Sequence, residues 1–256
     1  MLLNRFDQHM TPAVQSTGEY SEGEVDVFKS VLQPDSIAIE VGACFGLHTL
    51  ALAELCPQGR VLALEPQLYN YQVLVANLAL QSLQNVDARP CAAGKTSGSL
   101  QLPVLDPTVS NNFGQMAASG HDSGRPTEVL ALSDLALPRL DLLKLDCEGD
   151  ELTVLEGAKV LIEKCKPWIY MEFTDNRAGL LKFLADIGYS ARRHMPHHTR
   201  MPNFLGADLT GKVVFGSDMV LAWPASWPEP VFGPEWIEPS EGDILVGNPN
   251  NITATD

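Results

Sequence analysis

The sequence predicts an α/β fold of the doubly wound kind, a mostly parallel sheet with helices on both faces, and three observations carry that expectation. Short runs rich in Val, Ile and Leu recur along the chain, at Ile37 to Val41, Val61 to Glu65, Val86 to Cys91, Asp141 to Leu145, Trp168 to Phe173 and Met219 to Trp223. Between them lie stretches with apolar residues three and four apart: Tyr71, Leu74 and Leu78, then Leu155, Ala158 and Ile162, then Leu181, Leu184 and Ile187 before Gly188, a natural helix stop. Several of the strand runs are apolar almost throughout, as strands buried on both faces are.

The elements follow in order. Ser21 and Glu24 have the spacing of a capping box, and Val25, Phe28 and Leu32 make an apolar stripe behind them, so a helix precedes the first strand. Ser99 to Thr127 is polar and rich in Gly, Ser and Asn, and reads as a long excursion with room for short edge strands. After Pro224 come prolines and acids with few helical signals, the pattern of a wrapped extension or a mobile tail. The expected organisation is a helical extension or lid over 1–34, a central domain over 35–224 and a Pro-rich acidic tail over 225–256. There is no internal repeat.

Composition excludes several function classes. With 45% hydrophobic and 19% charged residues, 256 residues bury a large core and suit one compact domain better than two. Apolar runs are broken well before the roughly 20 residues of a membrane span, and MLLNRFDQHM lacks a basic start followed by an apolar block, so a soluble, unexported chain is expected. Five scattered cysteines without a C-x-x-C pair indicate reduced thiols and a cytoplasmic location. A net charge of −15 disfavours nucleic acid and anionic membranes as partners. Oligomeric state is left open.

The stretch IEVGACFGLHTLALAEL, Ile39 to Leu55, has the form of a ligand-binding turn: strand, glycines at 42 and 46, helix. In open α/β sheets, such a turn presents backbone N–H groups at a helix N-terminus, and glycine lets a ligand approach closely. A dinucleotide fingerprint needs G-x-G-x-x-G, but Cys44 and Leu47 occupy the second and third glycine positions. Glu40 would repel a pyrophosphate by about 4 kcal/mol at 4 Å in an effective dielectric near 20, whereas it would attract the ammonium and sulfonium of S-adenosylmethionine. Glu65, 23 residues after Gly42, sits where a strand-tip carboxylate accepts both ribose hydroxyls. The plainer alternatives are a helix-capping Glu40 and an exposed strand-end Glu65.

LDLLKLDCEGDEL, Leu140 to Leu152, sets Lys144 and Asp146 on one strand face and crowds Asp146, Glu148, Asp150 and Glu151 at its carboxyl end. Crowded carboxylates raise one another's pKa, which suits proton removal, with Lys144 offsetting part of the repulsion. A simple Lys144–Asp146 ion pair followed by an acidic first helical turn is the alternative. Glu172, ending the next strand, either completes an acidic pocket or merely ends the strand. His194 to Phe204 gathers three of six histidines, but His197 and His198 are adjacent and no acid or thiol accompanies them, so a substrate-facing or surface loop is expected and no metal.

These residues resemble the FkbM-type class I S-adenosylmethionine-dependent methyltransferases. The likeness lies in ordered blocks: TGEYSEGE, EVGACFGLHT, LEPQLYNYQVLVANL, NNFG at Asn111 to Gly114, SDL at Ser133, LLKLDCEGDELTVLEGA and, more weakly, MPNFLGADLTGKVVFGSDMVLAWP. Cys44 stands where the family's turn usually carries Asn, and Asp218 where Asn is expected. The resemblance implies a Rossmann-like class I methyltransferase fold with a seven-stranded sheet. It implies methyl transfer from S-adenosylmethionine, leaving S-adenosylhomocysteine, to a hydroxyl of a small-molecule or glycan acceptor such as a sugar, polyketide or related metabolite. Glu40, Gly42, Ala43, Cys44 and Gly46 would hold the methionine end, Glu65 the ribose, and Pro66, Gln67, Ala92 and Ala93 the adenine. Tyr20 and Ser21 would close over the cofactor or the acceptor. Lys144, Asp146 and Glu148 would stand at the emerging methyl group, with Asp146 also beside the cofactor and Asn112, Glu172, His197 and Asn203 on the acceptor side. An amine acceptor, a nicotinamide-dependent oxidoreductase and a non-catalytic binding module are the rival functions.

Overall fold

The computed structural model describes residues 1–239 except Thr174, Val213, Pro234 and Glu235. In chain order its elements are α1 (Met10–Thr17), α2 (Glu22–Val31), β1 (Ile37–Val41), α3 (Leu47–Leu55), β2 (Arg60–Leu64), α4 (Leu68–Leu80), β3 (Val86–Arg89), β4 (Cys91–Ala93), β5 (Gly98–Leu102), β6 (Arg125–Leu130), β7 (Leu142–Leu145), α5 (Glu151–Cys165), β8 (Trp168–Glu172), α6 (Arg177–Asp186), β9 (Tyr189–His194), β10 (Met219–Pro224) and β11 (Trp236–Ile237). The main sheet runs β11-β9-β10-β8-β7-β1-β2-β3, and β1, β2, β3, β7 and β8 pair in parallel while β10 is antiparallel to both neighbours. The seven expected strands are there, and the two-residue β11 from the proline-bearing tail adds an eighth at the edge.

The order reverses at β1, which has β2 on one side and β7 on the other. Chain crossing to opposite sides opens a crevice at the carboxyl ends of these three strands, and that crevice is where open sheets bind ligands. One face of the sheet packs on α5 and α6 through Val41, Leu143, Leu145, Met171, Leu155, Ile162 and Leu184. The other packs on α2, α3 and α4 through Phe28, Leu52, Ala38, Tyr170, Ala63 and Leu74. Burying both faces is why the strands read as continuous apolar runs.

The excursion over 99–127 supplies β5 and β6, which join β4 in a separate three-stranded sheet. Two elements carry weaker sequence signals than the rest. Helix α1 has no acidic first turn or side-chain cap, and β9 carries two arginines and a histidine, held by pairing with β10. The Ser21–Glu24 spacing marks a helix start as expected, but the two side chains bond each other at 2.7 Å instead of capping backbone N–H groups. Within the tail, Phe232 and Trp236 pack on the α2 face of the core, and residues 240–256 lie outside those described. The five cysteines are free, and among the described residues no helix is long and apolar enough to cross a membrane.

Candidate active site

The turn after β1 is shaped by left-handed residues. Gly42 has φ +83°, and a Cβ there would stand 1.8 Å from the carbonyl oxygen of Asp146; Gly46 has φ +88°, with Leu74 in the way. Only glycine lets the ends of β1 and β7 come this close. Cys44, between them, also has positive φ, +46°. The N–H groups of this turn are largely spoken for. Gly42 and Ala43 donate to the Leu64 carbonyl at 3.0 and 3.1 Å, and Gly46 donates to Ala43 at 2.8 Å. Cys44 N–H donates to Glu65 Oε2 at 2.8 Å. What the turn offers a ligand is close approach and local charge more than free donors, a refinement of the role expected from sequence.

Glu65 follows β2, buried at 4% exposure, and also accepts from Gln67 N–H at 2.8 Å. Burial outweighs these hydrogen bonds and pushes its carboxyl up to about 7. Each of its oxygens keeps a lone pair for a further donor. Gln67 ties the excursion to this rim through the Pro103 carbonyl at 3.0 Å. Arg125 donates to the Pro66 carbonyl at 3.3 Å. Ala92 and Ala93 are buried in β4, paired with Val129 and Leu130.

Register explains the electrostatic centre. Ala63, Glu40, Lys144 and Tyr170 are successive neighbours across β2, β1, β7 and β8, so they share a face, the one covered by α2 and α3. Glu40 and Lys144 are each 1% exposed and 3.5 Å apart. Lys144 also reaches Asp146 at 3.2 Å, and Thr49 donates to Glu40 at 2.5 Å. Burial opposes the lysine's charge, but Asp146, Glu40 and Glu24 overcome it and hold the ammonium above its usual value. Burial raises Glu40 in turn, with Lys144 pulling the other way. Both sequence readings of Lys144 are met in part: it pairs with Asp146, and it does so inside an acidic pocket.

Glu148 and Gly149 take left-handed conformations, φ +57° and +99°, which turn the chain sharply out of β7. Burial and then Asp146 push Glu148 up to about 8. Glu172 rises to about 9, through burial and then the same neighbour, and its Oε2 is buried without a hydrogen-bond partner. Asp146, Glu148 and Glu172 offer carboxylate oxygens within 4.8 Å of one another, an arrangement whose chemistry admits a hard divalent cation. Asp150 stands at the N-cap position of α5, but its side chain does not cap the helix and instead ties in the excursion, accepting from Ala118 N, Ser119 N and Ser119 Oγ.

The residues expected on the acceptor side divide. Glu172 joins the acidic group. Asn112 bonds Gln115 and Gly114 within its own turn, and Asn203 bonds Arg200 and Ala207 within its loop, so both side chains serve local structure. His197 is exposed, whereas its neighbour His198 packs on Tyr20 with ring centroids 4.9 Å apart and meets Ser217 Oγ at 3.0 Å. Asp218 clamps Arg177 and Arg193. Ser21 is fully buried and joined to Glu24. Three groups drew no functional reading from the sequence: Glu24, His198, and His48, whose ring lies 6.2 Å from that of Tyr20 and whose Nε2 is buried without a hydrogen-bond partner. Glu24 had a readable signal, an acid one turn before Phe28 on the apolar stripe of α2.

A model of the methyltransferase FkbM domain matches residues 40–205, about two thirds of the chain. The chain belongs to the FkbM methyltransferase family. Among relatives of this FkbM methyltransferase, Methyltransferase 1 of Beauveria bassiana (strain ARSEF 2860) is 27% identical over 184 residues, 61% of this chain and 73% of the relative. Methyltransferase sdnD of Sordaria araneosa is 31% identical over 159 residues, 49% of this chain and 61% of that protein. A solved FkbM methyltransferase from Methylobacillus flagellatus KT superposes with a TM-score of 0.51 at 16% identity, covering 77% of this chain and 48% of the other. That likeness shows the shared Rossmann-like fold. The FkbM chain thus spans about half the length of the solved relative.

Proposed function

We propose that this FkbM methyltransferase uses S-adenosylmethionine to methylate a hydroxyl of a sugar, polyketide or related metabolite. The observation that carries the reading is the surplus of acid around buried Lys144, at the strand tips where the sheet order reverses. Buried carboxylates that outnumber their cation favour a positively charged ligand, and the chain's residues fit one: the glycine turn admits it, Glu40 and Asp146 face its charge, and Glu65 has lone pairs for two adjacent hydroxyls. When bound, the donor supplies a methyl group activated on a sulfonium.

The chain's part is chiefly to position. Holding an acceptor in line beside the donor accounts for roughly 7–11 kcal/mol of barrier reduction in well-oriented systems. Asp146 or Glu148 takes the hydroxyl proton as the new bond forms, with Lys144 fixing the orientation of Asp146. We place the enzyme in the cytoplasm, in keeping with its free cysteines. Calorimetry with S-adenosylmethionine and S-adenosylhomocysteine tests the donor, and methyl-labelled donor offered with a panel of glycosides and polyketides tests the acceptor. Absence of heat with both nucleosides, or label appearing on amines alone, would sink the corresponding half.

A further inference from the structure

Glu24 belongs to α2, far in sequence from the strand tips, yet is 1% exposed. One turn further along the helix, Phe28 meets Tyr170 edge-on at 5.8 Å, and Tyr170 is the register neighbour of Lys144. On the other side, Ser217 leads into β10 at the same end of the sheet as Glu172, and its hydroxyl lies 3.4 Å from Glu24 Oε1. Glu24 therefore hangs over the carboxyl ends of β7 and β8.

Its two oxygens differ. Oε1 accepts from Ser21 at 2.7 Å as well as facing Ser217, while Oε2 is buried with no hydrogen-bond partner. A bare buried carboxylate oxygen is costly unless a cation faces it. Lys144 feels Glu24, but Glu40 and Asp146 already hold that ammonium.

We propose that Glu24 is a donor-binding residue that recognises the positive sulfur of S-adenosylmethionine, closing with Glu40 and Asp146 a ring of three carboxylates around Lys144. The role rests on the site binding that donor at all. The sulfur of S-adenosylhomocysteine is neutral and gains nothing from the extra charge, so Glu24 favours donor over product and helps the one displace the other.

Calorimetry on the full chain with S-adenosylmethionine, its amine analogue sinefungin and S-adenosylhomocysteine tests this without an acceptor. Glu24→Gln keeps the shape and the Ser21 bond but removes the charge. It should weaken the two cationic ligands about tenfold or more and leave S-adenosylhomocysteine within about twofold. Should that variant fail to fold, Glu24→Met, which fills the buried space with an apolar chain of similar length, must show the same split. Equal losses for all three ligands, or no loss, overturn the role of Glu24 with the donor site intact. No heat from any ligand on the unmodified protein overturns the donor site and the role together.

Discussion

The ammonium of Lys144 lies 3.5 Å from the carboxylate of Glu40, both side chains are 1% exposed, and they sit side by side in register on adjacent parallel strands. Removing one partner of such a pair strands the other charge in the core. Lys144→Met should therefore destabilise the chain by about 3–5 kcal/mol in urea denaturation, and adding Glu40→Gln should recover part of that loss. Additive losses would show that the two side chains do not depend on each other.

Gly42 and Gly188 offer a controlled comparison. Both have positive φ, +83° and +74°, but a Cβ at 42 would strike the Asp146 carbonyl while nothing lies within 4 Å of one at 188. Gly188→Ala should cost only the roughly 1–2 kcal/mol of a left-handed alanine. Gly42→Ala should cost clearly more and also weaken donor binding, because the tips of β1 and β7 must part. Equal melting temperatures for the two variants would contradict this.

Stability should fall with rising pH in the neutral range. Burial raises Glu24 and Glu65 to about 7, Glu148 to about 8 and Glu172 to about 9, from an ordinary value of 4.5. Between the ordinary and raised values the folded chain keeps protons that the unfolded chain has released. Their contribution is thus complete below about pH 4.5 and drains away as pH climbs through the raised values. Half-buried His198, lowered to about 4, works in the opposite sense, but only below its ordinary value near 6.5. Melting temperature of the ligand-free protein should therefore decline from about pH 6.5 to 8.5, with a shallower slope in Glu65→Gln. A rise across that interval would refute the assignment.

Asp146→Asn should lower kcat at saturating S-adenosylmethionine by roughly 10²- to 10⁴-fold, the usual contribution of a positioned base, on top of the weaker donor binding that follows from removing a carboxylate that faces the sulfonium. If Glu148→Gln shows that loss and Asp146→Asn does not, the proton goes to Glu148 instead.

The sheet was legible because buried parallel strands leave apolar runs that solvent-facing segments do not imitate, and Ile37 to Val41 is the clearest of them. Strand β9 was hidden by Arg192, Arg193 and His194, whose place in a strand is decided by pairing with β10. At the site, Glu40, Glu65 and Lys144 could be found because an ionisable residue in or beside an apolar strand is conspicuous. Asn112 and Asn203 close their own turns, and nothing in the local sequence distinguishes such an asparagine from one facing a cleft. His198 rather than His197 packs on Tyr20, a distinction set by the fold of the loop and invisible in two adjacent letters.

The excursion over 103–120 and the first twenty residues are stitched together across the crevice: Asp7 bridges Asn111, Asn4 holds the Pro107 carbonyl, and Met10 packs with Phe45 and Phe113. Glu65 and Gln67, on the rim to which Gln67 ties the excursion, are 4 and 6% exposed. If a nucleoside-sized donor seats on these two side chains, this seam is what it has to displace, and each exchange of donor for product then includes that displacement as well as the bond-making within.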